Sequence, residues 1–211
     1  INSFTRGQGN AGNITIQARD AVTFDGVDSN GFPSGSFGDV FADGVGNGGT
    51  INITASEISM NNSANIQSST FGKGNAGNIQ IQTSDLMTGQ LILENDALIA
   101  AETFSPDGIG GNINIEVGKL IGNSGGLIST GSGEQSQEGN FGRAGDLDIT
   151  ATDSIELDGV GNVNRTGFFS ETSSPNRAGD LTVNTNKLTV QNGAGISSGA
   201  SGSGSLGGDG G

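Results

Sequence analysis

Polar and charged residues recur at a fixed place in this chain, directly after a repeated glycine. They are Asn13, Thr50, Asn78, Asn112, Asp146 and Asp180. If the copies stack at the spacing of neighbouring strands, about 4.8 Å, their side chains form one column in which amides hydrogen-bond from copy to copy. In the two copies that carry aspartate, an arginine stands three residues earlier, at Arg143 and Arg177. Stacked carboxylates repel each other, so we expect the arginines to pair with them in a structural charge ladder rather than the aspartates to form a calcium or catalytic site.

Two loops carry pairs of aspartates that are close enough in sequence to share a cation. Asp25 and Asp28 lie in one loop, and Asp39 and Asp43 lie in the next. Carboxylate oxygens suit calcium. The spacing matches neither the EF-hand loop nor the calcium-binding nonapeptide repeat, so we expect solvated turn residues and no cofactor, with calcium in these loops as the alternative.

The residue types that are missing restrict the chemistry further. The chain has no histidine, cysteine, tyrosine or tryptophan. Histidine-based acid catalysis, Ser-His triads and thiolate or histidine zinc sites are therefore excluded. Most of the aspartates that could do carboxylate chemistry occupy ladder or turn positions, so we expect no enzyme. The net charge of −14 argues against nucleic acid as a partner, because no basic patch exists to neutralise phosphates.

The elements that position these residues are short strands that repeat along the chain. The glycines before them, called marker glycines below, are Gly12, Gly49, Gly77, Gly111, Gly145 and Gly179. The last three intervals between them are all 34 residues long. After each marker glycine, apolar and polar residues alternate, as in Ile14, Thr15 and Ile16. This period of two predicts a strand with one buried face.

Each repeat holds three such short strands, with turns rich in Asn, Asp and Gly after the second, and no segment shows helical spacing. Three strands per repeat cannot form an independent sheet, whereas stacked repeats can. We therefore predict an all-β fold, a right-handed parallel β-helix of about six coils, with an antiparallel sandwich as the competing fold.

The chain reads as a single β-helix segment over residues 1–211. Ile1 stands 11 residues before Gly12, as Ile66 stands 11 before Gly77, so the segment begins inside a repeat. We expect an internal fragment of a longer repeat protein. Unpaired strand edges at its two ends predict end-to-end self-association.

The repeated elements GNAGNITI (9–16) and GGNINI (110–115), the turn NGAGISS (192–198) and the loop DGVDSNGFPSG (25–35) carry a family resemblance. They resemble the filamentous haemagglutinin-like exoproteins of two-partner secretion systems, especially the cyanobacterial members, over all six repeats. The resemblance implies a secreted or cell-surface protein, associated with the outer membrane and exported by an outer-membrane transporter. The secretion domain of that family has no counterpart here, so export is an expectation for the parent chain.

Two functions follow as hypotheses. The first is a non-enzymatic structural and adhesive stalk, whose partner is a carbohydrate or protein of a host or cell surface. Its contact surface would be loops that carry Phe32, Phe37, Phe104, Phe168 and Phe169. The alternative is a β-helical module that acts on or binds carbohydrate, for which a groove flanked by carboxylates would be the sign.

Overall fold

The computed structural model describes residues 1–132, 142–161, 164–174 and 176–201. These residues form strands, turns and irregular segments and contain no α-helix. None of the described elements is a helix that could cross a membrane. The strands are β1 (Ile14–Gln17), β2 (Ala21–Asp25), β3 (Gly35–Phe37), β4 (Ile51–Ala55), β5 (Glu57–Asn61), β6 (Asn65–Gln67), β7 (Ile79–Thr83), β8 (Gln90–Leu93), β9 (Leu98–Ala100), β10 (Ile113–Asn123), β11 (Leu127–Ser129), β12 (Leu147–Asp158), β13 (Gly167–Thr172), β14 (Leu181–Gln191) and β15 (Gly195–Ala200).

Each strand pairs in parallel with its counterpart one repeat along. The strands after the marker glycines pair in the order β1, β4, β7, β10, β12 and β14, while β2, β5 and β8 pair side by side and join the same sheet at β10. The second sheet has the order β3, β6, β9, β11, β13 and β15. Six stacked coils thus form a β-solenoid. This confirms the predicted all-β parallel β-helix of about six coils.

The core is a stack of the alternating apolar residues. Ile51, Ile79 and Ile113 occupy equivalent register positions in successive rungs, and each is at most 1 % exposed. The polar residues between them point outward. Burial is weaker in β14, where Leu188 and Val190 are 47 % and 40 % exposed, because β14 pairs on one side only within the described residues.

The number of strands per coil changes along the helix. Coils 1 to 3 hold three separate strands each, as predicted, whereas the first two strands merge in coils 4 to 6 into the continuous strands β10, β12 and β14. The pairing of β10 with β12 shifts register between Val117 and Lys119. Between these positions β12 has one more residue than β10, and the bulge accommodates it without ending the strand.

An insertion in coil 3 connects three coils. It consists of residues 84–89, which lie between β7 and β8. The Leu86 carbonyl accepts a hydrogen bond from the Thr152 hydroxyl of coil 5. The insertion also lies against coil 4 at Gly118, where a Cβ added to that glycine would lie 2.6 Å from the Gly89 carbonyl oxygen. The insertion of coil 3 therefore contacts the two following coils, coil 4 at Gly118 and coil 5 at Thr152.

Candidate functional site

The marker glycines form a column in which no side chain fits. A Cβ added to Gly111 would lie 1.9 Å from the carbonyl oxygen of Gly77, and one added to Gly145 would lie 2.3 Å from that of Gly111. Hydroxyls from the second sheet reach the same carbonyls from inside the helix. The Ser68 hydroxyl donates to the Gly49 carbonyl oxygen at 2.5 Å. From Gly49 onward, glycine is required because the carbonyl oxygen of the preceding marker glycine occupies the space of the Cβ, whereas a Cβ added to Gly12 would meet only the Ser3 side chain.

The residues after the marker glycines stack as one column, called the post-glycine ladder below. Its hydrogen bonds run from a backbone N–H to the side-chain Oδ1 one coil earlier: Thr50 to Asn13 (2.9 Å), Asn112 to Asn78 (2.9 Å), Asp146 to Asn112 (3.0 Å) and Asp180 to Asp146 (2.9 Å). The expected amide-to-amide bonds are absent from these described residues. Because only the side-chain oxygen is needed, aspartate replaces asparagine without breaking the column, whereas Thr50 accepts no such bond from Asn78.

A second column, the pre-glycine ladder, stands two residues before the marker glycines. Its N–H groups also donate to the Oδ1 one coil earlier: Asn47 to Asn10 (2.8 Å), Asn75 to Asn47 (3.0 Å) and Ile109 to Asn75 (2.9 Å). The ladder ends at Ile109, which has no side-chain acceptor. Sequence reasoning noted this position only for its arginines, although the repeated Asn-x-Gly spacing was a usable signal.

The turns after the second strands carry a third set of bonds that the sequence analysis missed. Asn62 and Asn95 have positive φ, as the turn composition predicted. Their side-chain amides donate to the preceding coil, Asn62 to Asp25 and Asn95 to Asn61, both at 2.9 Å. Only the bond from Asn95 to Asn61 joins two amides, so this set is not the asparagine column that was expected beside the glycines.

The two predicted arginines differ in their contacts. Arg177 forms an ion pair with Asp180 of the same coil. Arg143 is exposed and makes no ion pair within the described ranges. Both side chains of the Arg177 pair are about half exposed, so the pair is worth about 0–1 kcal/mol.

The carboxylates of the two acidic loops contact different partners. Asp28 accepts the N–H groups of Phe32 (2.9 Å) and Asn30 (2.8 Å), which lowers its pKa. Asp39 is buried and accepts the Ser69 N–H at 2.8 Å, while Asp43 is exposed. No group of three or more metal-ligating side chains is found in the described part of the chain. Calcium in these loops stays a prediction.

Acidic residues also form a column close to the ends of the strands of the second sheet. Bridges that join Val40, Thr70, Thr103, Ser132 and Thr172 place the preceding residues in one register. These residues are Asp39, Ser69, Glu102, Gly131 and Glu171. Carboxylates therefore occur at every second coil and small residues lie between them.

Desolvation changes the acidity of two of these carboxyl groups. Burial raises the pKa of Asp39 to about 6, against the opposing effect of the Ser69 N–H. Burial also raises the pKa of Glu102, which accepts the Ser129 hydroxyl at 2.5 Å. Glu171 instead forms a bidentate pair with Arg165, at 2.7 and 2.8 Å.

The phenylalanines expected at the contact surface divide into two groups. Phe32 is 69 % exposed, and Phe37 and Phe104 are half-buried. Phe168 and Phe169 are 1 % and 5 % exposed, so the expectation that they form contact surface was wrong. Both belong to β13, where Phe168 pairs with Ile128 in the core column and the Arg165 guanidinium lies 3.5 Å from the centre of the Phe169 ring.

The two glycine-flanking ladders enclose a shallow groove of about 360 Å³ that runs across coils 2 to 5. Asn47 and Asn75 line one wall, and Asn78 and Asn112 line the other, with Arg143 and Asp146 at one end. The backbone of Gly48, Gly77 and Gly110 contributes to the lining between the two ladders. The groove is therefore polar and bordered by repeating amides. Comparison of the chain with family models, with curated proteins and with solved structures finds no match in any of the three.

Proposed function

We propose that this protein is a non-enzymatic structural and adhesive stalk of a secreted or cell-surface fibrous protein of the filamentous haemagglutinin-like type. The observation that supports the proposal is that at least one of the two glycine-flanking ladders joins every coil to the next. A rod of this construction gains reach with each added coil, because a coil contacts only its neighbours. The exposed loops, including the one that carries Phe32, supply contact surface for a carbohydrate or protein partner.

The resemblance in the repeats supports an export route through an outer-membrane transporter for the parent chain. Localisation outside the cell is part of the same proposal. The test is to label intact producing cells with an antibody against residues 1–211 and then to treat the cells with external protease. We expect labelling that the protease removes. Labelling that requires permeabilised cells would contradict the proposal, and a periplasmic marker protein serves as the control for leakage.

One observation favours a second candidate, a module that acts on carbohydrate. Asp39 and Glu102 lie two coils apart in the acidic column, a separation of about 9.6 Å between their strands. This backbone separation lies just above the range of about 6.5–9.5 Å between the two carboxyl groups of inverting glycosidases, and burial raises the pKa of both Asp39 and Glu102, as the general acid of such a pair requires.

The two candidates differ in a direct assay. The stalk predicts no new reducing ends when the purified protein is incubated with neutral and acidic polysaccharides. Sustained turnover that is lost in both Asp39→Asn and Glu102→Gln would establish the second candidate. Asp43→Asn, which changes an exposed aspartate of the same loop, is the matched control.

A further inference from the structure

The groove between the two ladders presents hydrogen-bond donors on both walls. In Asn47, Asn75, Asn78 and Asn112, the side-chain Oδ1 accepts a backbone N–H of the next coil. A backbone N–H can only donate, so the oxygen of each amide must face the ladder and the nitrogen must face away from it. These four Nδ2 groups have no protein partner within the residues described. The walls therefore offer donors whose acceptors have to come from outside the chain.

The floor of the groove is backbone, and the N–H groups of its glycines are already hydrogen-bonded within the protein. The N–H groups of Gly48 and Gly110 bond to carbonyls of the next coil, and that of Gly77 bonds to the Ser68 carbonyl. A Cβ added to Gly77 would lie 2.3 Å from the Gly49 carbonyl oxygen, so this position has to stay glycine, and Ala76 beside it adds only a methyl group to the floor. A ligand can thus approach the backbone closely and be recognised by the walls.

The end of the groove at coil 5 adds a positive charge. Arg143 lines the groove, is exposed and makes no ion pair among the described residues. Asp146 is the only carboxylate in the lining, and its Oδ1 already accepts the Asp180 N–H. The groove is therefore locally neutral in formal charge: the four Nδ2 groups and Arg143 are donors, and the second carboxylate oxygen of Asp146 is an acceptor at the same end.

We propose that this groove binds a linear polysaccharide that carries carboxylate groups and lies along the helix axis. Carboxylate oxygens accept hydrogen bonds without donating any, which complements walls of NH₂ groups, and charge-assisted bonds to a guanidinium are the stronger kind. The repeat of the donors at about 4.8 Å suits an extended polymer. The net charge of −14 opposes the approach of any polyanion, and salt at physiological ionic strength reduces that repulsion because it screens exposed charges over about 8 Å. The inference rests on the proposed adhesive function and gives it a ligand class.

The test uses polygalacturonate as the probe, titrated into the purified protein at physiological ionic strength. The groove variant combines Asn78→Asp with Asn112→Asp, which keeps the Oδ1 that the ladder needs and replaces the free donor with an anionic oxygen. Asp146 already fills the same role in the ladder. The control variant combines Asn10→Asp with Asn13→Asp, which adds the same charge in coil 1, one residue in each ladder, outside the groove.

We expect the groove variant to bind at least about tenfold more weakly than the wild type, because two bonds to charged groups are lost, and the control to bind with nearly unchanged affinity. Arg143→Gln, which leaves both ladders intact, should also weaken binding by about tenfold. The polymer whose carboxyl groups have been reduced to alcohols should not bind.

Three results would overturn the inference: no binding of polygalacturonate to the wild type, equal losses in the groove and control variants, or equal affinity for the reduced polymer. These outcomes are separate from the surface-labelling test. A protein that is displayed on cells and does not bind the polymer contradicts the ligand alone, whereas a protein that binds it and is found only inside cells contradicts the adhesive function alone.

Discussion

Replacement of Gly111 by alanine tests whether the glycine column is a steric requirement. The added Cβ would lie 1.9 Å from the carbonyl oxygen of Gly77 and 3.1 Å from the Cβ of Ala101. The closest atom belongs to the backbone of a stacked rung, which cannot rotate away as a side chain can. Overpacking usually costs about 1–3 kcal/mol, so we expect a loss at the upper end, about 3 kcal/mol. For a chain of this length that corresponds to a fall in Tm of about 6–12 °C.

Thermal unfolding followed by circular dichroism measures this loss, with Gly7→Ala as the matched control. Gly7 has no atom within 4 Å of an added Cβ and no positive φ. We therefore expect the Tm of the control to stay close to that of the wild type. A Gly111→Ala protein that unfolds at the same temperature as the control would refute the steric argument, because the rungs would then have to separate freely to admit a methyl group.

Three further predictions concern charge and strand edges. Burial raises the pKa of Asp39 from 3.8 to about 6. The contribution of this carboxyl group to the free energy of unfolding is therefore fully present below about pH 4 and is lost as the pH rises through 6. The difference between the two pKa values corresponds to about 3 kcal/mol. Asp39→Asn, which keeps the acceptor for Ser69, should remove that part of the pH dependence in urea titrations. Arg177→Gln should lower stability by at most about 1 kcal/mol, and adding Asp180→Asn should restore most of it; a large loss would show that the exposed pair matters more than surface pairs do. Finally, β1 and β14 each pair on one side only within the described residues, so we predict end-to-end association of the isolated chain, which a single monomeric species in sedimentation over a wide concentration range would contradict.

The sequence was sufficient for the architecture because each coil repeats the same physical requirement. The alternation around Ile79 and Ile113 specifies the buried face, and the interval of 34 residues specifies the strand that each one pairs with. The residue types in the turns, such as the asparagine at Asn62, indicated positive φ at these positions. These properties depend on local spacing, which a single sequence displays directly.

The sequence was insufficient where the outcome depends on neighbours in other coils. Which atoms of an asparagine column bond, amide to amide or backbone to Oδ1, depends on the side-chain rotamer and not on residue type. Asp39 and Asp43 look alike in sequence, yet the first is buried and the second exposed. The burial of Phe168 follows from its register with Ile128, which the length of the preceding loop obscured.

The uneven ladders have a mechanical consequence. Their hydrogen bonds point along the helix axis, so they resist a force that pulls the two ends of the β-helix apart. The bonds that join one coil to the next, called a step below, share this force, and every step bears the whole of it. The steps from coil 1 to 2 and from coil 3 to 4 carry bonds in both glycine-flanking ladders. The step from coil 2 to 3 has only the bond from Asn75 to Asn47, because Thr50 interrupts the other ladder. Along this edge, a stretched rod would begin to open between coils 2 and 3, or beyond Ile109, where one ladder has ended.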